Sequence, residues 1–195
     1  VLSDWQFRPA TGHRLMPWAN GGGTTAEVAV HPPGSDDWAW RLSIASVEAD
    51  GPFSSLPGID RHILVASGAG MALTVDTVTH ELRLGSAPLA FAGEATTTCR
   101  LLGGPISDLN LMVRRDRADG TLHRLHLEPG QAAAPTVADA VAIVLLAGAA
   151  TADGRPMQQF DALVTRRPGA PLALVAAAPT ELAVACVYSR APGTS

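Results

Sequence analysis

Apolar and polar positions alternate along this chain over short runs, each closed by glycine, proline or aspartate. A period of two predicts β-strands, because successive side chains on an extended backbone point to opposite faces. Strands are expected near 25–31, 38–48, 62–66, 71–75, 81–84 and 97–102. In the second half they are expected near 109–115, 122–127, 141–147, 162–164, 172–176 and 182–188. Few segments show a helical period, although Ala-rich pieces such as 132–134 leave local ambiguity. Many short strands with turn signals between them predict an all-β sandwich or barrel.

Two of these runs carry unusual polar faces. In the first, Trp38, Trp40, Leu42 and Ile44 share one face and Arg41, Ser43 and Ala45 the other. The aromatic and aliphatic face is expected to meet a core. Arg41 then either enters a barrel interior or stands in water, and from the sequence alone the solvated position is the usual one. In the second run, Asp108, Asn110, Met112 and Arg114 alternate with Leu109, Leu111 and Val113. That mixed face holds more hydrogen-bonding groups than a solvated strand requires.

The halves of the chain echo each other. Ile63-Leu64-Val65-Ala66-Ser67-Gly68-Ala69-Gly70 is matched by Ile143-Val144-Leu145-Leu146-Ala147-Gly148-Ala149-Ala150. Such an echo suits two similar β-barrels with a boundary near Gly120. A chain of 195 residues with 47% hydrophobic content is long enough for one large core or two small ones.

Charge and cysteine usage narrow the function. All 14 basic residues are arginine, an outcome ascribed to coding composition, and 18 acidic residues give a net charge of −4. Without a basic run, nucleic acid and anionic membranes are disfavoured partners. Cys99 and Cys186 lie in apolar strand-like runs and are expected to be buried free thiols. The start of the sequence lacks the regions of a signal peptide, and the apolar stretch 140–150 is too short to span a bilayer. A cytoplasmic location is expected. That stretch suits a homodimer interface and core burial equally well.

Familiar catalytic and cofactor motifs are missing. Gly21-Gly22-Gly23 precedes a predicted strand rather than a helix, which argues for a tight turn and against a phosphate loop. The histidines at 13, 31, 62, 80, 123 and 126 have no metal-site spacing, so no metal and no cofactor are expected. There is no GxSxG elbow, and Ser54-Ser55 lies in a Gly/Pro-bounded turn without an identifiable histidine partner.

Several blocks in fixed order resemble the HutD/Ves family of bicupins. They are Met16-Pro17-Trp18…Asn20-Gly21-Gly22-Gly23-Thr24, Trp40-Arg41-Leu42-Ser43-Ile44-Ala45, Asp50-Gly51-Pro52-Phe53-Ser54 and Pro57-Gly58-Ile59-Asp60-Arg61. Gly68…Gly70-Met71…Leu73, Phe91…Gly93-Glu94 and Gly104-Pro105…Asp108…Asn110…Met112…Arg114 complete the set. They span roughly residues 15–115, and the last third carries little of the family's signature. Ala19 stands where the family often has a basic residue, and Leu109 where it usually has an aromatic.

The resemblance implies two tandem cupin (RmlC-like) β-barrels. Residues 1–120 would form an N-terminal barrel with the ligand site. Residues 121–195 would form a C-terminal cupin-like barrel, with N-terminal strands as candidates to complete it. It also implies a metal-independent protein that binds a small anionic metabolite, formylglutamate and urocanate being the candidates, in an accessory or regulatory role in histidine utilisation. Arg41 and Arg61 would clamp a carboxylate, since the guanidinium fork donates two parallel hydrogen bonds. Asn20, Ser43, Asp108 and Asn110 would complete the polar lining, and Trp18, Phe53 and Met71 the apolar walls. The alternative is a cupin isomerase or hydrolase acting on a small anionic metabolite, with Asp108 or a histidine as acid/base group. A third reading is an interaction protein that restrains an enzyme or transcription factor.

Overall fold

The computed structural model describes residues 4–18, 21–134, 137–167 and 171–190. They form an all-β fold with one short 3₁₀ turn, Ala10–Gly12. The strands are β1 (Gln6–Arg8), β2 (Arg14–Pro17), β3 (Gly23–His31), β4 (Trp40–Val47), β5 (Gly51–Pro52), β6 (Ile59–Ser67), β7 (Met71–Val75), β8 (Val78–Leu82) and β9 (Leu89–Ala92). They continue with β10 (Thr97–Leu101), β11 (Ile106–Arg114), β12 (Ala118–Leu127), β13 (Ala140–Ala147), β14 (Ala150–Ala152), β15 (Arg155–Pro156), β16 (Ala162–Thr165), β17 (Leu174–Ala176) and β18 (Thr180–Ser189).

The contacts divide the chain into two compact units. One contains Arg14–Gly120; the other contains Thr121–Ser189 together with the chain's start up to His13. In the first unit a six-stranded sheet, ordered β2-β3-β4-β11-β6-β9, faces a four-stranded sheet, ordered β5-β10-β7-β8. Ala45, Val47, Ile63, Val65 and Ile106 from the larger sheet pack against Met71, Leu73, Leu82 and Cys99 from the smaller. In the second unit a five-stranded sheet, β1-β16-β13-β18-β12, accompanies a three-stranded one, β15-β14-β17. Val141, Ile143, Leu163, Leu182 and Val184 form its core with Ala152, Leu174 and Ala176. Each sheet runs from one edge strand to another, so within the described residues the pairing is that of facing open sheets.

The stretch 140–150, for which interface and core were equally suitable, is core: β13 is central in its sheet and buried through Leu146. Cys99 and Cys186 are both buried and unpaired. The short strands β1, β2, β5, β9, β14 and β15 were not expected, because two to four residues display little of a period of two, although the equally short β16 and β17 fall within expected runs. Trp38, expected on the core face of a strand, lies ahead of β4 and is only half-buried.

The echo between the halves has a structural counterpart. β6 and β13 are each followed directly by a glycine of positive φ, Gly68 at 89° and Gly148 at 90°. A Cβ on Gly68 would lie 2.6 Å from the Pro105 carbonyl oxygen; on Gly148 it would collide with the Pro179 carbonyl oxygen. Each proline carbonyl immediately precedes the strand that pairs with the glycine's own, β11 for β6 and β18 for β13. Gly68→Ala and Gly148→Ala are each expected to destabilise the protein by about 1–3 kcal/mol, because overpacking adds to the strained backbone. Chemical denaturation of the two variants measures this, and an unchanged midpoint for either would refute the equivalence of the two turns.

Candidate functional site

Register on three neighbouring strands assembles the site. β11 lies between β4 and β6, and Met112 is paired with Arg41 on one side and Arg61 on the other. Two residues along, Asn110 is paired with Ser43 and Ile63; two further, Asp108 is paired with Ala45 and Val65. Residues two apart share a face, so these rows present Arg41, Arg61, Ser43, Asn110 and Asp108 to the same side of the sheet. The rows extend outward as well: Phe91 is paired with Arg61, and Thr25 with both Ala45 and Met16. A β-bulge between Ser107 and Asp108 closes the pattern at the end of β11.

That face lines a cavity of about 500 Å³, a size suited to a small organic ligand. Arg41, Ser43, Arg61, Asp108 and Asn110 supply its polar surface, with Met112 between the arginines. Trp18, Phe53, Met16, Pro17 and Leu56 supply apolar walls, and Thr25 and Ser54 add hydroxyls. Trp18 is fixed by its ring N–H, which donates to Thr25 Oγ1 at 2.8 Å, and by its backbone N–H, which donates to the Gly23 carbonyl at 2.9 Å. Gly23 therefore helps to set an aromatic wall.

Arg61 is held by aromatic faces. It is only 5% exposed, and its guanidinium carbon lies 4.8 Å from the Phe53 ring centre and 5.2 Å from that of Phe91. Such contacts contribute roughly 0.5–2 kcal/mol each and satisfy no N–H. Its Nε is buried without a hydrogen-bond partner. Burial pushes its pKa down to about 10, against the pull of Asp108, so it remains a cation at neutral pH. Arg41 is less enclosed: it lies over Trp38 at 5.3 Å and donates from Nη2 to Met112 Sδ at 3.6 Å, while its Nε also lacks a partner. Burial lowers its pKa as well, opposed by Glu27.

Asp108 is 1% exposed, and its Oδ1 has no hydrogen-bond partner; Asn110, 3% exposed, has an unpartnered Oδ1 too. Burial drives the Asp108 carboxyl up to about 7, and the Arg61 charge only partly offsets this. The site thus juxtaposes unsatisfied donors with unsatisfied acceptors.

Outside the cavity an ionic clip holds the start of β6, the strand that bears Arg61. Arg115 Nε donates to Asp60 Oδ1 at 2.9 Å, and its Nη atoms donate to both Glu94 carboxylate oxygens at 2.9 and 3.2 Å. Leu56 and Gly93 are joined by a backbone bond of 2.7 Å, as are Gly93 and Ile59. These contacts explain the Gly58-Ile59-Asp60-Arg61 and Gly93-Glu94 blocks: Asp60 and Glu94 anchor, and Arg61 faces inward.

The structure brings Trp18, Arg41, Ser43, Phe53, Arg61, Asp108 and Asn110 to one cavity. Asn20 lies outside the described residues. Met71 is not part of the lining: it is fully buried on β7 in the apolar core, where Cys99 Sγ donates to its Sδ at 3.6 Å. Its strand belongs to the facing sheet, whose inward side is sealed by aliphatic packing. Arg114, on the polar face of its run, binds the Trp38 carbonyl at 2.7 Å instead of entering the cavity. Met16, Pro17, Thr25, Leu56 and Met112 were not foreseen as lining. Only Met112 had a signal, its parity with Asp108 and Asn110. Among the described residues no group of three or more His, Cys, Asp or Glu side chains is placed to hold a metal.

The raised Asp108 pKa has a definite stability signature. An unfolded aspartate titrates near 3.9 and the native one near 7, so the native state holds the extra proton between those values. Stability associated with that proton is fully present below about pH 4 and is lost as pH rises through about 7. Asp108→Asn is therefore expected to stabilise the protein at pH 8 by a few kcal/mol, on the order of the 1.36 kcal/mol per pH interval that linkage gives. It should have little effect at pH 4. Melting curves of both proteins across that range check the sign.

Comparison with known proteins places this geometry. A profile of the HutD family matches residues 10–184. An uncharacterized 21.2 kDa protein in the hutC 3′ region of Pseudomonas putida is 42% identical over 117 residues, 60% of this chain and 62% of that protein. The aligned part thus spans less than two thirds of that relative's length. HutD from Pseudomonas fluorescens SBW25, solved in a formate condition, is 31% identical with a TM-score of 0.79, covering 96% of this chain and 100% of that one. The bacterial pirin YhhW from Escherichia coli, in complex with nickel(II), is only 11% identical but has a TM-score of 0.70, covering 96% and 100% of the two chains. This likeness shows a shared cupin-like fold alone. With most of its length matched by one family profile, this chain belongs to the HutD family.

Proposed function

We propose that this protein binds a small carboxylate metabolite in the cavity between Arg41 and Arg61, without a metal, and that its two units are tandem cupin barrels. The observation that carries the reading is the set of four buried, unpartnered polar atoms, Arg41 Nε, Arg61 Nε, Asp108 Oδ1 and Asn110 Oδ1, all on residues lining one cavity. Buried polar groups are almost always paired, so a cluster of exceptions marks a place where a ligand completes the bonding. Two guanidiniums favour an anion, and their forked geometry favours a carboxylate. The same lining does not fit a divalent cation: it offers two cations, one carboxyl and no imidazole.

The family name and the hutC-region relative support an accessory or regulatory role in histidine utilisation, with formylglutamate and urocanate as candidate ligands. A second reading also has an observation behind it. A buried carboxyl with its pKa near 7, close enough to a cation to sense it, is suited to acid/base work, as an isomerase or hydrolase would need. Incubation with each metabolite, followed by NMR, separates the readings, because a binder leaves the metabolite unchanged.

Arg61→Ala is expected to weaken carboxylate binding by roughly ten- to a hundredfold, the equivalent of one or two charge-assisted hydrogen bonds. Calorimetric titration measures this; unchanged affinity would remove Arg61 from the site. Binding of simple carboxylates such as formate and glutarate should weaken as pH rises through about 7, where Asp108 ionises. That ionisation adds a negative charge facing Arg61 and Arg41, and thermal shifts at pH 6 and pH 8 read the difference.

A further inference from the structure

We infer that Trp38, which is not part of the cavity lining, is a positioning residue: its ring face sets Arg41 at the cavity wall and leaves the guanidinium N–H groups to the ligand. The inference rests on the carboxylate reading above and names the residue that presents one of its two donors. An arginine side chain has many rotamers, so ordering it on binding costs affinity unless something holds it beforehand. Hydrogen bonds would hold it at the expense of the donors a ligand needs. A ring face does not, because it attracts the positive charge as a whole.

Arg41 is held in this way. Its guanidinium carbon lies 5.3 Å from the Trp38 ring centre, and its Nη2 donates to the Met112 thioether, a weak acceptor, at 3.6 Å. Glu27, whose charge reaches Arg41, is itself bonded by Arg14 Nη2 at 3.4 Å. Arg61 rests on the Phe53 and Phe91 faces, so the site uses the same device twice.

Trp38 is in turn fixed from neighbouring elements. Arg114 Nε donates to its carbonyl at 2.7 Å, and the Arg114 guanidinium carbon lies 5.4 Å from the same ring. Ala39 donates its N–H to the His31 carbonyl at 2.6 Å and accepts the Arg114 backbone N–H at 2.8 Å. Asp37 binds Arg117 Nη2 through both carboxylate oxygens at 2.9 Å. Residues 37–39 are thus tied to the end of β3 and to the end of β11 and the turn beyond it. Alternation would send Trp38 to the face of Trp40 and Leu42, but β4 begins at Trp40, so the ring escapes that parity.

A double-mutant cycle tests this, with glutarate and urocanate as probes, titrated calorimetrically at pH 6, where Asp108 is largely protonated. Trp38→Leu should weaken binding about three- to tenfold, the scale of one partly buried cation–π contact. Trp38→Phe, which keeps a ring face, should recover most of that loss. In the Arg41→Ala background Trp38→Leu should have no further effect, because nothing is left for the ring to place. If Trp38→Leu does not fold, Trp38→Met supplies the same cycle with an unbranched apolar side chain. Equal weakening by Trp38→Leu in both backgrounds would make Trp38 a general support of the fold and overturn the inference. Unchanged affinity in Trp38→Leu itself would overturn it too. In either case, weaker binding in Arg61→Ala would leave the carboxylate reading standing. No binding of either acid by the parent protein at millimolar concentration would overturn the inference and that reading together.

Discussion

A buried cation without a bonded counterion is the constraint around which this site is organised. Arg61 cannot shed its proton near neutral pH, and it is too enclosed to be hydrated freely. Two aromatic faces and the field of Asp108 are what the protein provides. Neither satisfies an N–H, so the guanidinium stays ready to donate. Asp108 is the mirror case, an acid whose burial outweighs the nearby positive charge and leaves it poised between protonation states. Polar groups held in this condition cost stability, and proteins tolerate such local costs chiefly at functional sites.

The β-sheet converts this chemistry into geometry. Because β11 is flanked on both sides, each inward position on it brings a residue from β4 and one from β6 into line. Strands lie roughly 4.8 Å apart, so Arg41 and Arg61 leave the sheet about 10 Å from each other across Met112. That separation lets two side chains reach over a flexible thioether into one cavity. The start of the strand that carries Arg61 is held from outside by Arg115, Asp60 and Glu94, whose exposed ion pairs contribute little individually but act on one short segment.

How much of this could be read in the sequence depended on length and parity. Long central strands with clean alternation were legible, and with them the shared face of Arg41, Ser43, Asp108 and Asn110. Most strands of two to four residues were not, because a period needs several turns of the pattern to show; β16 and β17 fall in the runs expected near 162–164 and 172–176. Whether Arg41 meets water or a cavity was open, since parity assigns a side of the sheet without saying what covers it. Met71 illustrates the same limit from the other direction: it sits in a Gly-Met-x-Leu block of the resemblance, yet it fills the core beside Cys99. The walls from Met16, Pro17 and Leu56 come from edges and loops, which only the folded chain brings to the cavity.

The paired glycine turns make the chain its own comparison. Counting back seven residues from each glycine sets Arg61 against Val141. Counting forward three, five and seven from Pro105 and Pro179 sets Asp108, Asn110 and Met112 against Leu182, Val184 and Cys186. All four counterparts belong to the packed core of the second unit. One copy of the motif is therefore solid where the other is hollow, and the difference is concentrated in a handful of inward positions on two strands. The solid copy shows what this scaffold becomes when those inward positions carry side chains that pack against one another.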